Sequence, residues 1–191
     1  MKHIRLATTH DALAFAEIYR PIVLKSPISF ETKPPSAVEM ATRVNDILTH
    51  MPWLAYETDG EILGYAYAGK HRERAAYQWS VDVSVYVREG RRGQGIGRSL
   101  YQILFHLLRV QGFYVAHAGI TLPNQASVGL HEGFGFHPIG VYPAVGFKFG
   151  CWHDVGWWQL ELQPRVGEPA PPLPIDIASQ RCEWTQILTE R

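Results

Sequence analysis

The order of predicted elements indicates a mixed α/β (α+β) fold in which one central sheet lies between helices. Strand-like alternation and helical spacing follow one another along the chain, and turn signals such as Asp59-Gly60 separate them. With 191 residues, of which 46% are hydrophobic, the chain has the size and composition of one domain. We assign residues 1–163 to this domain and residues 164–191 to an extended, proline-rich C-terminal tail without a core of its own.

The first half of the chain combines helices with short strands. A helix near the N-terminus can be capped by Thr8 or Thr9, and a second helix begins at Ser36. The predicted elements are, in order, a strand over 4–7, a helix from about 10, a loop over 26–35, a helix over 36–50, and strands over 53–58 and 61–70.

The second half contains the clearest strand of the chain, over 77–87. There Val81, Val83 and Val85 alternate with polar residues, which predicts one aliphatic face and one polar face. The elements that follow are a glycine-rich turn, a helix that ends at Gly112, a strand over 114–121, a short helix over 124–132, and strands over 136–142 and 149–163.

Charge and composition exclude several classes of partner. The chain carries 18 basic and 18 acidic residues, so no net charge favours nucleic acid or an anionic membrane. No apolar run reaches the roughly 20 residues that span a bilayer. The two cysteines, Cys151 and Cys182, suggest free thiols in a reducing compartment. We therefore expect a cytoplasmic protein that binds neither nucleic acid nor membranes, and no metal ion at its site.

The most informative segment is the glycine-rich turn between the clearest strand and the next helix. Gly93, Gly95 and Gly97 allow a tight turn and a close approach to a ligand. The free amides and dipole of the following helix favour an anion such as pyrophosphate, and neighbouring arginines, among them Arg92 and Arg98, can add contacts. A Rossmann dinucleotide site fits less well, because its turn follows the first strand and is paired with an acidic residue downstream.

These residues resemble the Gcn5-related N-acetyltransferases. Arg92-Gly-Gln-Gly-Ile-Gly97 fits the signature Arg/Gln-x-x-Gly-x-Gly/Ala of that family. Within that family the chain more closely resembles the phosphinothricin and methionine sulfone/sulfoximine acetyltransferases. The segments that carry this likeness are 53–55, 64–68, 76–79, 84–87, 122–124, 131–132, 146–148 and, most specifically, Trp152-His-Asp-Val-Gly-Trp-Trp-Gln159.

The resemblance implies a mostly antiparallel sheet whose fourth and fifth strands splay apart around acetyl-CoA. By position, Val85, Tyr86 and Val87 would meet the pantetheine arm, and Asn124 and Ser127 would contact the rest of the cofactor. From local sequence alone, Asn124 is equally suited to cap a helix. The residues expected to hold the pyrophosphate are Arg92, Gly93, Gln94, Gly95, Ile96, Gly97 and Arg98. The resemblance also implies a homodimer.

Acetyl transfer to an amine requires a proton acceptor, because a free α-amine titrates near pH ~8. Asp82 is the candidate base. The family usually has Glu there, so the shorter Asp favours transfer through water. The alternative is a structural carboxylate. His131 matches the active-site histidine of the family, and a surface role is its alternative.

For a small-molecule amine acceptor, an arginine can pair with a carboxylate or phosphinate group. The resemblance places the acceptor pocket at Phe30, Arg74, Tyr77 and Tyr86, and Arg72 lies in the same loop as Arg74. Thr121 stands where the family often has a smaller residue, which would narrow the pocket. The alternatives are solvated charges for the arginines and packing in the core or an interface for the aromatic residues. These features indicate a zwitterionic amino acid-like acceptor. A protein N-terminus or a polyamine is the alternative acceptor, and a non-catalytic acyl-CoA sensor is the alternative from another class.

Overall fold

The computed structural model of the chain describes residues 2–189. Its centre is one seven-stranded sheet of order β1-β2-β3-β4-β5-β7-β6. The strands are β1 Lys2–Leu6, β2 Trp53–Thr58, β3 Glu61–Lys70, β4 Ser80–Val87, β5 Val115–Leu122, β6 His137–Lys148 and β7 Cys151–Glu161. The helices are α1 Ala12–Lys25, α2 Ala37–Leu48, α3 Ile96–Gln111, α4 Gln125–Glu132, α5 Ile175–Ala178 and α6 Cys182–Thr189.

Helices cover both faces of this sheet, which confirms the predicted mixed α/β fold. On one face, the aliphatic side chains of β4 pack with α3 in a core that includes Val81 and Leu100. On the other face, α1 and α2 cover a second core, where Phe15 stacks on Trp53 with ring centroids 5.7 Å apart. The alternation of β4 therefore positions its polar residues on the face of α1 and α2.

The sheet opens between β4 and β5. All other neighbouring strands are antiparallel, whereas β4 and β5 are parallel and pair only at their beginnings, ending at Asp82 opposite His117. Beyond these two residues the strands continue to Val87 and Leu122 without pairing with each other. The predicted separation of the fourth and fifth strands is confirmed, and a cleft lies between them.

The last hairpin differs from the prediction. The strand predicted to end at Tyr142 continues to Lys148, and the next begins at Cys151 rather than Phe149. A register shift between Tyr142 and Gly146, with Ala144 at φ 46°, interrupts the alternation on which the prediction depended. The bulge is held where the Ala144 amide donates a 2.7 Å hydrogen bond to the Asp154 carboxylate.

The prediction of an extended C-terminal tail is wrong over residues 175–189, because α5 and α6 form there. Ala178 and Trp184 are buried in the core on the α3 face. The segment that precedes α5 is bound to the end of α3, because the Leu173 amide donates a 2.7 Å hydrogen bond to the Gln111 carbonyl. The tail thus packs on the core of the sheet. Within residues 2–189, no helix combines the length and apolar character needed to cross a membrane.

Candidate functional site

The separated ends of β4 and β5 border a cleft of about 70 Å³. The structure brings six of the predicted site residues together along its walls: Val85, Tyr86, Thr121, Asn124, Ser127 and His131. Asn124 also caps α4, because its Oδ1 accepts a hydrogen bond from the Ser127 amide at 3.1 Å. Thr121 donates to the Ile28 carbonyl at 3.4 Å and so ties the cleft to the loop after α1.

The glycine-rich turn lies between β4 and α3. Gly93 and Gly95 have φ values of 76° and 80°, in the left-handed region that favours glycine. Gly95 is the N-cap of α3 and offers no side-chain acceptor to the first helical amides, which stay available for an anion. Gly97 lies inside α3 at ordinary φ, and a Cβ there would make only ordinary contacts, so of the three predicted glycines only Gly93 and Gly95 are required by their φ values.

The other residues predicted for the pyrophosphate differ in what they can offer. Arg92 and Gln94 are exposed in the turn. The side chain of Ile96 is buried in the core, which leaves only its backbone for a ligand. The guanidinium carbon of Arg98 lies 5.2 Å from the centre of the Phe134 ring, so this side chain packs beside the end of α4.

His131 belongs to a closed group of side chains with Tyr101 and Ser127, called here the His131 cluster. Its Nδ1 lies 2.8 Å from the Ser127 carbonyl oxygen and must donate to it. In the neutral ring Nε2 then accepts from the Tyr101 hydroxyl at 3.1 Å. Burial lowers the pKa of His131, which keeps the ring neutral. Both nitrogens are therefore occupied, so His131 borders the cleft but has no free nitrogen to offer a ligand there.

Asp82 lies at the point where the strands separate, on the opposite face of the sheet. Its Oδ1 is 2.7 Å from Nδ1 of His71, which follows β3. His71 stacks on His117, the β5 partner of Asp82, with ring centroids 4.1 Å apart and planes 15° apart. We call these three residues the Asp82 cluster. They do not contact His131, so the structure separates the two residues predicted to be catalytic.

Burial governs the electrostatics of the Asp82 cluster. It raises the pKa of the Asp82 carboxyl, while the hydrogen bond from His71 and the nearby Arg72 act in the opposite direction. Burial, followed by the proximity of His71, lowers the pKa of His117 to about 4. His117 is therefore neutral near pH 7, and its Nδ1 has no hydrogen-bond partner among the described residues.

The predicted acceptor residues lie in different places. Arg72 lines a cavity of about 170 Å³ beside the Asp82 cluster, with its guanidinium carbon 5.8 Å from the Trp157 ring centre. Tyr77 contacts His71 edge to face at 5.9 Å. Phe30 packs against Gly146 of the last hairpin, and Arg74 is exposed before a short helical turn. Of the two arginines, Arg72 is the one beside the Asp82 cluster.

Sequence reasoning missed His71, His117 and Tyr101. The alternation of the strand over 114–121 places His117 on one face with Thr121, which is a usable signal. The register that sets His117 opposite Asp82 is a tertiary property without a sequence signal. His71 is found only once the end of β3 is known, and Tyr101 fits the helical pattern of an ordinary core residue.

Comparisons with known proteins agree with this geometry. The family model "Acetyltransferase (GNAT) domain" matches residues 4–157. The chain is 38% identical over 177 residues to a phosphinothricin N-acetyltransferase of Streptomyces viridochromogenes, covering 93% of this chain and 94% of the relative. It is 43% identical over 116 residues to an L-methionine sulfoximine/L-methionine sulfone acetyltransferase of Pseudomonas aeruginosa, covering 61% and 67%.

A solved structure of an acetyltransferase has the same fold. The phosphinothricin acetyltransferase of Sinorhizobium meliloti in complex with AcCoA superposes with a TM-score of 0.85 at 34% identity. The match covers 88% of this chain and 93% of that one.

Proposed function

This chain belongs to the acetyltransferase (GNAT) family, and from that premise we propose that it moves the acetyl group of acetyl-CoA to the α-amine of a small amino acid-like acceptor. The observation that carries the proposal is the opening of the sheet beyond Asp82 and His117, directly after the last paired residues. The thioester of acetyl-CoA can bind in this opening between β4 and β5, where backbone groups of β4 are free to contact it.

On the cofactor side, the free amides at the start of α3 and the exposed Arg92 hold the pyrophosphate. The pantetheine arm runs along Val85, Tyr86 and Val87, whose strand has no partner on the side of the cleft. Asn124 and Ser127 border the opposite wall. A backbone N–H near Val85 stabilises the oxyanion of the tetrahedral intermediate.

On the acceptor side, Asp82 receives the proton of the attacking amine, directly or through a water molecule. The new N–C bond forms as the C–S bond breaks, and CoA leaves as its thiolate. His71 orients the Asp82 carboxylate through their 2.7 Å hydrogen bond. This contact favours an enzyme over a non-catalytic acyl-CoA sensor, because it provides an oriented carboxylate beside the cleft.

His131 acts through Tyr101, whose hydroxyl it fixes at 3.1 Å on the wall of the cleft. Arg72 binds the carboxylate of the acceptor, since its guanidinium borders the cavity next to Asp82. A polyamine acceptor is disfavoured, because this cavity presents an arginine rather than carboxylates.

The test measures CoA release from acetyl-CoA with phosphinothricin, methionine sulfone, methionine sulfoximine, common amino acids, spermidine and a short peptide. We expect saturable release with the phosphinate, sulfone or sulfoximine compounds. Release only with spermidine or the peptide would refute the acceptor class. Binding of acetyl-CoA without release from any compound would favour the sensor.

We also propose that the chain acts as a cytoplasmic homodimer. Its two cysteines are free and exposed, as suits a reducing compartment. Large apolar side chains are exposed on the β6–β7 hairpin, including Phe147 at 59% and Trp152 at 63%. Such side chains are enriched in subunit interfaces. A monomeric mass by light scattering would refute the dimer.

A further inference from the structure

We infer that His71, Asp82 and His117 form a binding site for a divalent transition-metal ion such as Zn²⁺. Two imidazoles and one carboxylate come from three adjacent segments of the sheet: the end of β3, β4 and β5. Their ligand atoms lie within 4.8 Å of one another. This N, N, O donor set suits zinc and related ions.

Metal binding requires the His71 Nδ1 to lose the proton that it donates to Asp82 and the two stacked rings to turn. Zinc binds nitrogen and carboxylate oxygen at ~2.0–2.2 Å, and three ligands are common when a fourth position is open. The shortest pair in the cluster, His71 Nδ1 and Asp82 Oδ1, is already 2.7 Å apart. The two rings, now stacked with their centroids 4.1 Å apart, would have to turn until one nitrogen of each faces the Asp82 carboxylate.

Two further features favour an ion over a purely structural role. His117 is only 8% exposed, yet its Nδ1 has no hydrogen-bond partner among residues 2–189. Binding of the ion through Nδ1 would recover the free energy that this buried nitrogen loses without a partner. The neighbouring cavity of about 170 Å³ includes both histidines, and it provides an entry path and space for a water ligand.

The site has a consequence that rests on the proposed function. An Asp82 carboxylate bound to a metal ion cannot accept the proton of the amine. Occupancy of the site would therefore inhibit acetyl transfer, so that a transition-metal ion acts as a reversible inhibitor of the enzyme.

The binding test titrates chelator-treated full-length protein with Zn²⁺ by calorimetry and with Co²⁺ by visible absorption. His71→Ala and His117→Ala each remove one ligand. His106→Ala is the matched control, because His106 is exposed on α3 at the other face of the sheet. We expect one ion per chain for the wild type and the control. We expect each ligand variant to lose at least the ~10–100-fold of affinity that loss of an outer-shell partner costs.

A second pair must be separated from this site. Cys151 Sγ and His153 Nε2 lie 3.4 Å apart on β7 and could also hold a metal ion. Cys151→Ser is expected to keep the wild-type affinity. Absence of binding, or binding that is lost in Cys151→Ser and kept in His117→Ala, would overturn the inference. Circular dichroism checks the fold, and the more accessible His71→Ala gives the same answer if His117→Ala unfolds.

The inhibition test follows the acetylated acceptor by mass spectrometry, because Zn²⁺ also binds the released CoA thiol. We expect turnover to fall as the site fills and to recover when a chelator is added. Zn²⁺ bound at the three residues without loss of turnover would refute the role of Asp82 and leave the metal site standing. Inactivity of the metal-free enzyme toward every acceptor would refute the proposed function alone, since calorimetry does not depend on it.

Discussion

Each face of the opened sheet carries one histidine cluster, and the two clusters differ in whether all of their ring nitrogens have hydrogen-bond partners. In the His131 cluster, both ring nitrogens have partners and aromatic rings enclose them, with Phe136 edge to face at 5.0 Å. In the Asp82 cluster, one hydrogen bond joins His71 to Asp82, and the His117 Nδ1 has no partner among the described residues. The closed cluster maintains the shape of the cleft, and the open one is where a proton or a ligand can bind.

The largest effect should follow from removing the carboxylate of the open cluster. Asp82→Asn keeps the size of the side chain but abolishes its basicity. Because general-base catalysis contributes ~10²–10⁴-fold, we expect turnover to fall by that order. The affinity for acetyl-CoA, measured by calorimetry, should stay near that of the wild type, since the pyrophosphate turn is untouched.

The matched control is Asp82→Glu, which restores a carboxylate with one more methylene. Its turnover should lie well above that of Asp82→Asn. If Asp82→Asn turned over at the wild-type rate, Asp82 would be a structural residue and the comparison between the two clusters would fail.

The next effect concerns Arg72 and Arg74, which the sequence does not distinguish. Both side chains are exposed, but Arg72 lines the cavity beside the Asp82 cluster and Arg74 does not. Loss of a charge-assisted hydrogen bond costs ~1.5–3 kcal/mol, so Arg72→Ala should raise the KM for the acceptor about 10- to 100-fold. The same KM for both alanine variants would remove the acceptor carboxylate from this cavity.

The sequence predicts the features that are determined by residues close together in the chain, and it misses those that depend on distant residues. The hairpin at Asp59-Gly60 and the helix stop at Gly112 are set by neighbouring residues, and both lie where expected, at positive φ. The extended β6 was missed because the bulge at Ala144 is fixed by the distant Asp154. The docked tail was missed because Trp184 is buried by α3, a contact that no local pattern encodes.

The candidate site shows the same division. The cleft residues Val85, Asn124 and His131 were found because they belong to motifs that resemble a family. His71 and His117 belong to no motif, and only the pairing of β4 with β3 and β5 brings them to Asp82. To predict a site that is assembled from three strands, one must know the register in which the strands pair, and the sequence does not contain it in any local pattern.

A smaller effect should appear in the stability of the closed cluster. Tyr101→Phe removes the hydroxyl that donates to His131 and leaves a buried nitrogen without its donor. Such a loss costs ~1–3 kcal/mol, which urea denaturation would measure as a lower free energy of unfolding. In a His131→Leu background the same change should cost less, because the acceptor is already absent. Equal costs in both backgrounds would show that the hydrogen bond contributes nothing.

The smallest effect is the pH dependence that His131 gives to stability. Its pKa is lowered in the folded protein by burial, whereas the unfolded chain has a histidine pKa of about 6.5. Below that value the unfolded chain binds the proton more readily, so the stabilisation is complete above pH ~6.5 and is lost as the pH falls. In denaturation experiments at several pH values, the free energy of unfolding should therefore fall more steeply with decreasing pH for the wild type than for His131→Leu. The lowered pKa of His117 acts in the same direction but is present in both proteins, so the difference reports His131. Parallel curves would show that His131 is protonated as easily in the folded protein as in the unfolded chain, and that its cluster is not closed to solvent.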